Sequence, residues 1–289
     1  MTEPENTTAI SDDETVEAIA RGGYPLEVTL LHALRRGGMH PQMGTWMQTA
    51  AGSTEYREVD LTAQLNAHSR TTGDSVHAGI YFFIEAKHLG LPSRLVGVAD
   101  EVMSLTDLAR NSCRFTGVFT QTGLPKSLPR LARCLEPLFD GPQCVHWTIV
   151  RKESKKAKAE RDGRYAESMR TVVKATYWHA SDWTEFLKQR RAVADLRLFL
   201  PVLIVDTQDL QVFNPTTQRV ANVDCFQLVQ QWEVGGRIHW ACMPVIRASA
   251  IEQFVARATR VQNALDGELQ QNHATLWGEV QEDARELRA

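Results

Sequence analysis

The sequence predicts an α/β protein in which a mixed central β-sheet is flanked by α-helices. Three patterns support this: helical spacing of apolar residues from Tyr24, three successive strand patterns between residues 40 and 88, and the apolar run FLPVLIVD at 199–206 followed by a glycine-centred hairpin. Its 289 residues, 43% hydrophobic and 23% charged, supply enough apolar material for a substantial core and exclude a wholly disordered chain.

In YPLEVTLLHALRRGG, Pro25 suits a first helical turn, Leu26, Leu30 and Leu34 recur at helical spacing, and Gly37-Gly38 stops a helix expected over 25–36. Strands are expected at about 40–50, 55–66 and 79–88, separated by the polar loops AGST and HSRTTGDS. Residues 89–150 mix helical spacing with prolines and glycines, and their connections stay open. A long helix is expected over about 161–180, a central strand at 199–206, strands at 224–234 and 237–247 joined at Gly235-Gly236, and a last helix over 248–265. No internal repeat is visible.

No apolar run reaches the roughly 18 to 20 residues of a membrane helix. The acidic start, MTEPENTTAISDDETVE, lacks a basic segment followed by an apolar one, so a cytoplasmic protein without a membrane partner is expected. Cys113, Cys134, Cys144, Cys225 and Cys242 form no CxxC pair, which favours free thiols over a zinc or redox centre.

Charge is unevenly placed. Residues 1–17 carry −6 and residues 266–289 carry −4, so a total of −3 leaves +7 on residues 18–265. The expected organisation is an acidic flexible tail (1–17), a basic folded body (18–265) and an acidic C-terminal segment (266–289). Within the body, residues 151–174 hold nine Lys or Arg against four acids, and Lys155, Lys156, Lys158 and Arg164 are candidate phosphate contacts. A solvated, charged connection is the competing reading of that stretch.

Strand alternation gives chemistry to two segments. In YFFIEAKH, Tyr81, Phe83, Glu85 and Lys87 share one face; in REVDLTA, Glu58, Asp60 and Thr62 share one face, with Val59, Leu61 and Ala63 on the core-like side. If the two strands pair, two carboxylates and an ammonium meet at one edge. Oxygen ligands of this kind suit Mg2+, which keeps several waters and lowers the pKa of one of them. The Ala86 carbonyl is a further candidate ligand.

GYPLE at 23–27, REVDLTA at 57–63 and FIEAKH at 83–88 together resemble the ordered motifs of the PD-(D/E)XK, or restriction-endonuclease-like, nucleases. The resemblance covers residues 20–90, with Val59 where the name-giving proline would stand and a long spacing between Asp60 and Glu85 that reads as an insertion. It implies a restriction-endonuclease-like core with a C-terminal elaboration, and Asp60, Glu85, Lys87 and Glu27 as catalytic residues. It also implies Mg2+, with Mn2+ as a substitute, held by Asp60, Glu85 and Ala86, and hydrolysis of phosphodiester bonds in nucleic acid, DNA ahead of RNA. A helix-start glutamate such as Glu27 is also explained by the helix dipole alone. The rivals are an RNA-processing nuclease and a non-catalytic nucleic-acid-binding or assembly module. Protein partners and self-association stay open.

Overall fold

The computed structural model describes residues 11–21, 24–48, 56–71, 74–90, 92–100, 103, 104, 107, 128–153, 156–160, 162–189, 194–234 and 236–278. Helices α1 (Asp12–Arg21) and α2 (Tyr24–Arg36) precede strands β1 (Gln42–Gln48), β2 (Tyr56–Thr71), β3 (Asp74–His88) and β4 (Ser93–Ala99). Then come α3 (Leu128–Leu135), a 3-10 turn (Glu136–Phe139), β5 (Gln143–Glu153), β6 (Lys156–Glu160) and the long helix α4 (Gly163–Gln189). Strands β7 (Ala194–Asp206), β8 (Leu210–Asn214), β9 (Arg219–Asn222), β10 (Cys225–Val234) and β11 (Arg237–Arg247) lead through a short 3-10 turn (Ala248–Ala250) into α5 (Ile251–Gln271).

All eleven strands among the described residues belong to one mixed sheet in the order β1-β2-β3-β7-β11-β10-β5-β4-β8-β9, with β6 paired to β5. The α/β class with helices flanking a mixed sheet is therefore realised. β7, the expected central strand, lies parallel to β3 from Val76↔Ala194 to His88↔Asp206 and parallel to β11 on its other side. Its run from Leu198 to Val205 is buried, as a strand covered on both faces requires.

Two apolar cores sandwich the sheet. One joins Ile80, Phe82, Ile84 and Ala86 of β3 to Leu30 and Leu34 of α2 and to Phe254, Ala258, Val261 and Leu265 of α5. The other joins Phe83 and Phe199 to α4 through Tyr165, Met169, Val172 and Val173, residues whose spacing sets one helix face on the sheet. Each large side chain so buried contributes about 1.5–3 kcal/mol relative to exposure.

Several boundaries differ from expectation for identifiable reasons. Within the expected loop HSRTTGDS, residues 68–71 and 74–75 lie in strands. β2 and β3 stay in register out to Thr71↔Asp74, so the described residues between Asp60 and Glu85 lengthen both strands. Backbone ladders form with polar residues too, and composition alone concealed this one. The expected flexible tail includes α1, which starts with a capping box: Ser11 Oγ accepts the Glu14 N–H at 3.2 Å and the Ser11 N–H donates to the Glu14 carboxylate at 2.8 Å. At the other end, the acidic segment from 266 is helical to Gln271 and again over 273–278. The expected stop at Gly37-Gly38 is present, with Gly38 at φ 79° and the Met39 N–H returning to the Leu34 carbonyl at 3.1 Å. Among the described residues, no helix is long and apolar enough to cross a membrane.

Candidate functional site

The end of β3 lies where the sheet opens. The β2–β3 ladder closes at Leu61↔Ile84, and in the described ladders residues 56–59 of β2 pair with β1 alone. β2 also rotates here: Leu61 and Ala63 pack in the α2/α5 core, as alternation predicts, but Val59 packs in the α4 core. The expectation that Val59 shares a face with Leu61 therefore fails. Gly44 explains the local break, because it stands between the paired residues Met43 and Thr45, opposite Asp60, with φ 60°.

Asp60 occupies the gap. One carboxylate oxygen, Oδ2, accepts the Ala86 N–H at 2.8 Å and a proton of Lys87 Nζ at 3.1 Å, so a side chain replaces the missing ladder carbonyl. Lys87 Nζ also meets Glu85 Oε2 at 2.9 Å. One ammonium thus bridges both sequence-predicted carboxylates. The side chain of Ala86 joins the opposite core, while its carbonyl points to the same strand edge as its N–H, the edge that Asp60 fills.

Burial sets the electrostatics. Glu85 is only 4% exposed, and its carboxyl is pushed up to about 7, first by burial and then by the charge of Asp60. Lys87 opposes this, as does a hydrogen bond from Ser168 of α4. Burial pulls the Lys87 ammonium down, but Glu85 and Asp60 outweigh it and hold the group above its usual range. Lys87 is therefore a proton-bearing hydrogen-bond donor in this arrangement. Glu27, on the first turn of α2, is raised by burial and then by Asp60, with Lys87 pulling the other way and Glu58 adding to the rise. Helix α2 thus brings a third carboxyl within electrostatic reach of the pair.

Ser168 is the partner of Glu85 that sequence reasoning missed. Its signal is weak but readable: it directly precedes Met169 in the buried stripe of α4, where a small hydroxyl can reach a sheet carboxylate. The same helix is tied to the end of β3 by Tyr165, whose hydroxyl donates to the His88 carbonyl at 3.0 Å. His88 itself faces outward and pairs with Asp206 at 2.8 Å.

The basic stretch is distributed differently. Lys156 and Lys158 are exposed on β6, which forms a hairpin with β5, and Lys155 lies outside the described residues. Arg151 is taken by Glu160 at 2.6 Å and Asp162 at 2.8 Å. Arg164 stands one helical turn before Ser168 on α4, its side chain 87% exposed and 3.6 Å from Asp162. Structure places Arg164 on the helix that serves the Glu85 site, and the two lysines on the hairpin leading into that helix.

No family model, curated protein or solved structure matches the chain.

The donor set can be tested against a hard divalent cation. Among the described residues, no group of three or more Asp, Glu, His or Cys side chains is arranged to hold a metal. Above about pH 7, once Glu85 has lost its proton, two carboxylates flank one ammonium with the Glu27 carboxyl nearby. Oxygen donors on Asp60 and Glu85, the Ala86 carbonyl and retained waters match what Mg2+ accepts, since it rarely uses an all-protein cage. Among the described residues, Cys134, Cys144, Cys225 and Cys242 form no disulfide, and Cys113 lies outside the described residues.

Proposed function

We propose that this chain is a divalent-cation-dependent nuclease of the restriction-endonuclease-like kind, hydrolysing phosphodiester bonds in nucleic acid, with DNA as the favoured substrate. The observation that supports it most is the Lys87 ammonium lying 3.1 Å from Asp60 and 2.9 Å from Glu85 at the open end of two strands. In such a site Asp60, Glu85 and the Ala86 carbonyl would hold Mg2+ or Mn2+, which when bound would supply Lewis-acid stabilisation and an activated water to attack phosphorus. The Ala86 N–H fixes the Asp60 carboxylate, and Ser168 orients Glu85 from α4. Lys87, already protonated, donates to an oxygen that gains charge as the phosphorus–oxygen bond breaks. Glu27 adds negative potential, which strengthens cation binding.

A second reading has its own support, because the ion cluster satisfies itself without a three-residue metal group among the described residues. On that reading the chain binds nucleic acid or assembles with partners without cutting. Digestion of matched linear, circular, single-stranded and branched DNA, and of RNA, in Mg2+ against chelator separates the two. Nuclease action predicts cleavage that needs the cation and is lost by at least about a hundredfold in Asp60→Asn and Lys87→Ala. Calorimetry should show weakened Mg2+ binding in Asp60→Asn at fixed pH. Binding without metal-dependent cleavage of any substrate favours the second reading.

A further inference from the structure

Helix α1 stands on the surface, with every side chain from Asp12 to Ile19 exposed. Its apolar members Val16 and Ile19 are 65% and 51% exposed, and their spacing of three sets them side by side on one helix face. The helix around them is acidic: Asp12, Asp13, Glu14 and Glu17 against Arg21 give it a formal charge of −3. A groove of complementary character lies between the last turn of α2 and the first turns of α5. Its volume is about 520 Å3, within the range of sites that enclose side chains or small ligands. Ala33, Gly37, Val255 and Ala256 give it an apolar lining, and the Thr259 hydroxyl is already engaged with the Gly37 carbonyl at 3.2 Å and the Val255 carbonyl at 3.0 Å. At the mouth Arg36 and Glu252 pair at 2.9 Å and cancel each other. Arg260 in the lining and Arg35 beside it, both exposed, therefore leave the mouth positive.

We propose that α1 of one copy of this chain docks in the α2/α5 groove of a second copy, with Val16 and Ile19 in the groove and the acids of α1 against Arg35 and Arg260. Charge selects the occupant, because a helix of −3 meets a positive mouth while its apolar pair meets an apolar lining, the way amphipathic helices enter grooves in general. Chain geometry makes the contact one between copies. α1 ends at Arg21 and α2 begins at Tyr24, whereas Ala33 and Gly37 lie nine and thirteen residues along α2, about 14–20 Å from that junction. Val16 and Ile19 lie within about 8 Å of the end of α1, and their exposure shows that they do not sit in the groove of their own chain. Each copy offers one α1 and one groove. Two copies can therefore exchange them about a twofold axis, so that the small contact made by a helix of 10 residues occurs twice. The inference goes beyond the nuclease reading and does not depend on it, since no residue of the Asp60 site takes part.

Sedimentation velocity of the full chain over about 1 to 100 μM should show a monomer–dimer equilibrium with a Kd on the order of 10 μM, as suits a contact this small. Raising the salt from about 0.05 to about 0.5 M should weaken the dimer, because the charges that meet at the mouth are exposed and screened. Two variants remove the contact from opposite sides. Val16→Gln with Ile19→Gln makes the face polar while keeping good helix formers on α1, and Ala256→Trp fills the groove from an exposed position. Each should raise the Kd by at least about tenfold, with far-UV circular dichroism and urea unfolding of the monomer unchanged. Arg260→Glu should weaken the dimer and remove most of its salt dependence. With a benzophenone amino acid introduced at Ile19, irradiation of an equal mixture of isotope-labelled and unlabelled chains should join two copies, and mass spectrometry should place the bond on Ala33–Gly37 or Val255–Arg260 of the other copy. A chain that stays monomeric to about 100 μM, a dimer indifferent to both the Gln pair and Ala256→Trp, or cross-links that fall on other surfaces would each overturn the proposal.

Discussion

Glu85 is a buried carboxyl with a single ammonium against it and the charge of Asp60 close by, and that imbalance has a measurable pH signature. Its folded value of about 7 exceeds its ordinary value of 4.5, so between these limits the folded state holds a proton that the unfolded state has released. Stability contributed by that proton is full below about 4.5 and is lost as pH rises through about 7, by on the order of 3 kcal/mol. In chelator, urea unfolding at pH 5 and pH 8 should therefore show a larger loss for wild type than for Glu85→Gln, and equal losses would remove the raised carboxyl from the account. Ser168 acts through Glu85 as a positioning residue. Ser168→Ala removes one hydrogen bond, worth about 1 kcal/mol, and should lower Mg2+ affinity roughly fivefold with Ser168→Thr restoring part of it. An Ala variant with unchanged affinity would leave Ser168 a packing residue. Of these groups, Asp60, Glu85 and Lys87 were legible in sequence because strand alternation and an ordered motif place them on neighbouring strands. Ser168 was not, because the contact spans two elements and no local period encodes it.

Elements were legible where side-chain pattern alone dictates them and illegible where the backbone decides. The strands at 199–206 and 225–247 and the helix at α2 follow from apolar runs, a glycine hairpin and helical spacing. The outer half of the β2–β3 hairpin does not, since its polar residues are held by ladder bonds that any residue type can make. The break at Asp60 depends on Gly44 across the ladder, a pairing invisible until β1 and β2 are aligned. The α2 terminus gives a test of how such elements are joined. A Cβ on Gly37 would run into Val255 of α5, whereas one on Gly38 meets nothing within 4 Å and suffers only from φ 79°. Gly37→Ala should destabilise by about 1–3 kcal/mol through overpacking, and Gly38→Ala by about 1–2 kcal/mol through backbone strain. Adding Val255→Ala should recover much of the Gly37→Ala loss and none of the Gly38→Ala loss, read by urea unfolding of the double variants. If both respond alike, α2 and α5 do not approach as closely as the structure places them.

At the scale of the whole molecule, a chain of net charge −3 concentrates its acids at the two ends and leaves +7 on residues 18–265. The folded body then arranges that excess unevenly, because many of its cations are spent on local partners: Arg151 on Glu160 and Asp162, Arg57 on Glu167, Arg36 on Glu252. Lys156, Lys158 and Arg164 are exposed along β6 and the start of α4, the helix that carries Ser168 to Glu85. If they track phosphates toward the site, replacing all three with Gln removes three counterion-releasing contacts. On duplex DNA the salt slope of binding should then fall by roughly 2 to 3 units, at about 0.9 per contact, with affinity lowered for every sequence alike and Mg2+ binding unchanged. Titrations of the triple variant and wild type over a salt series in Ca2+ decide the matter: an unchanged slope would make β6 and the α4 entrance a solvated surface, and would place the phosphate path elsewhere on the basic body.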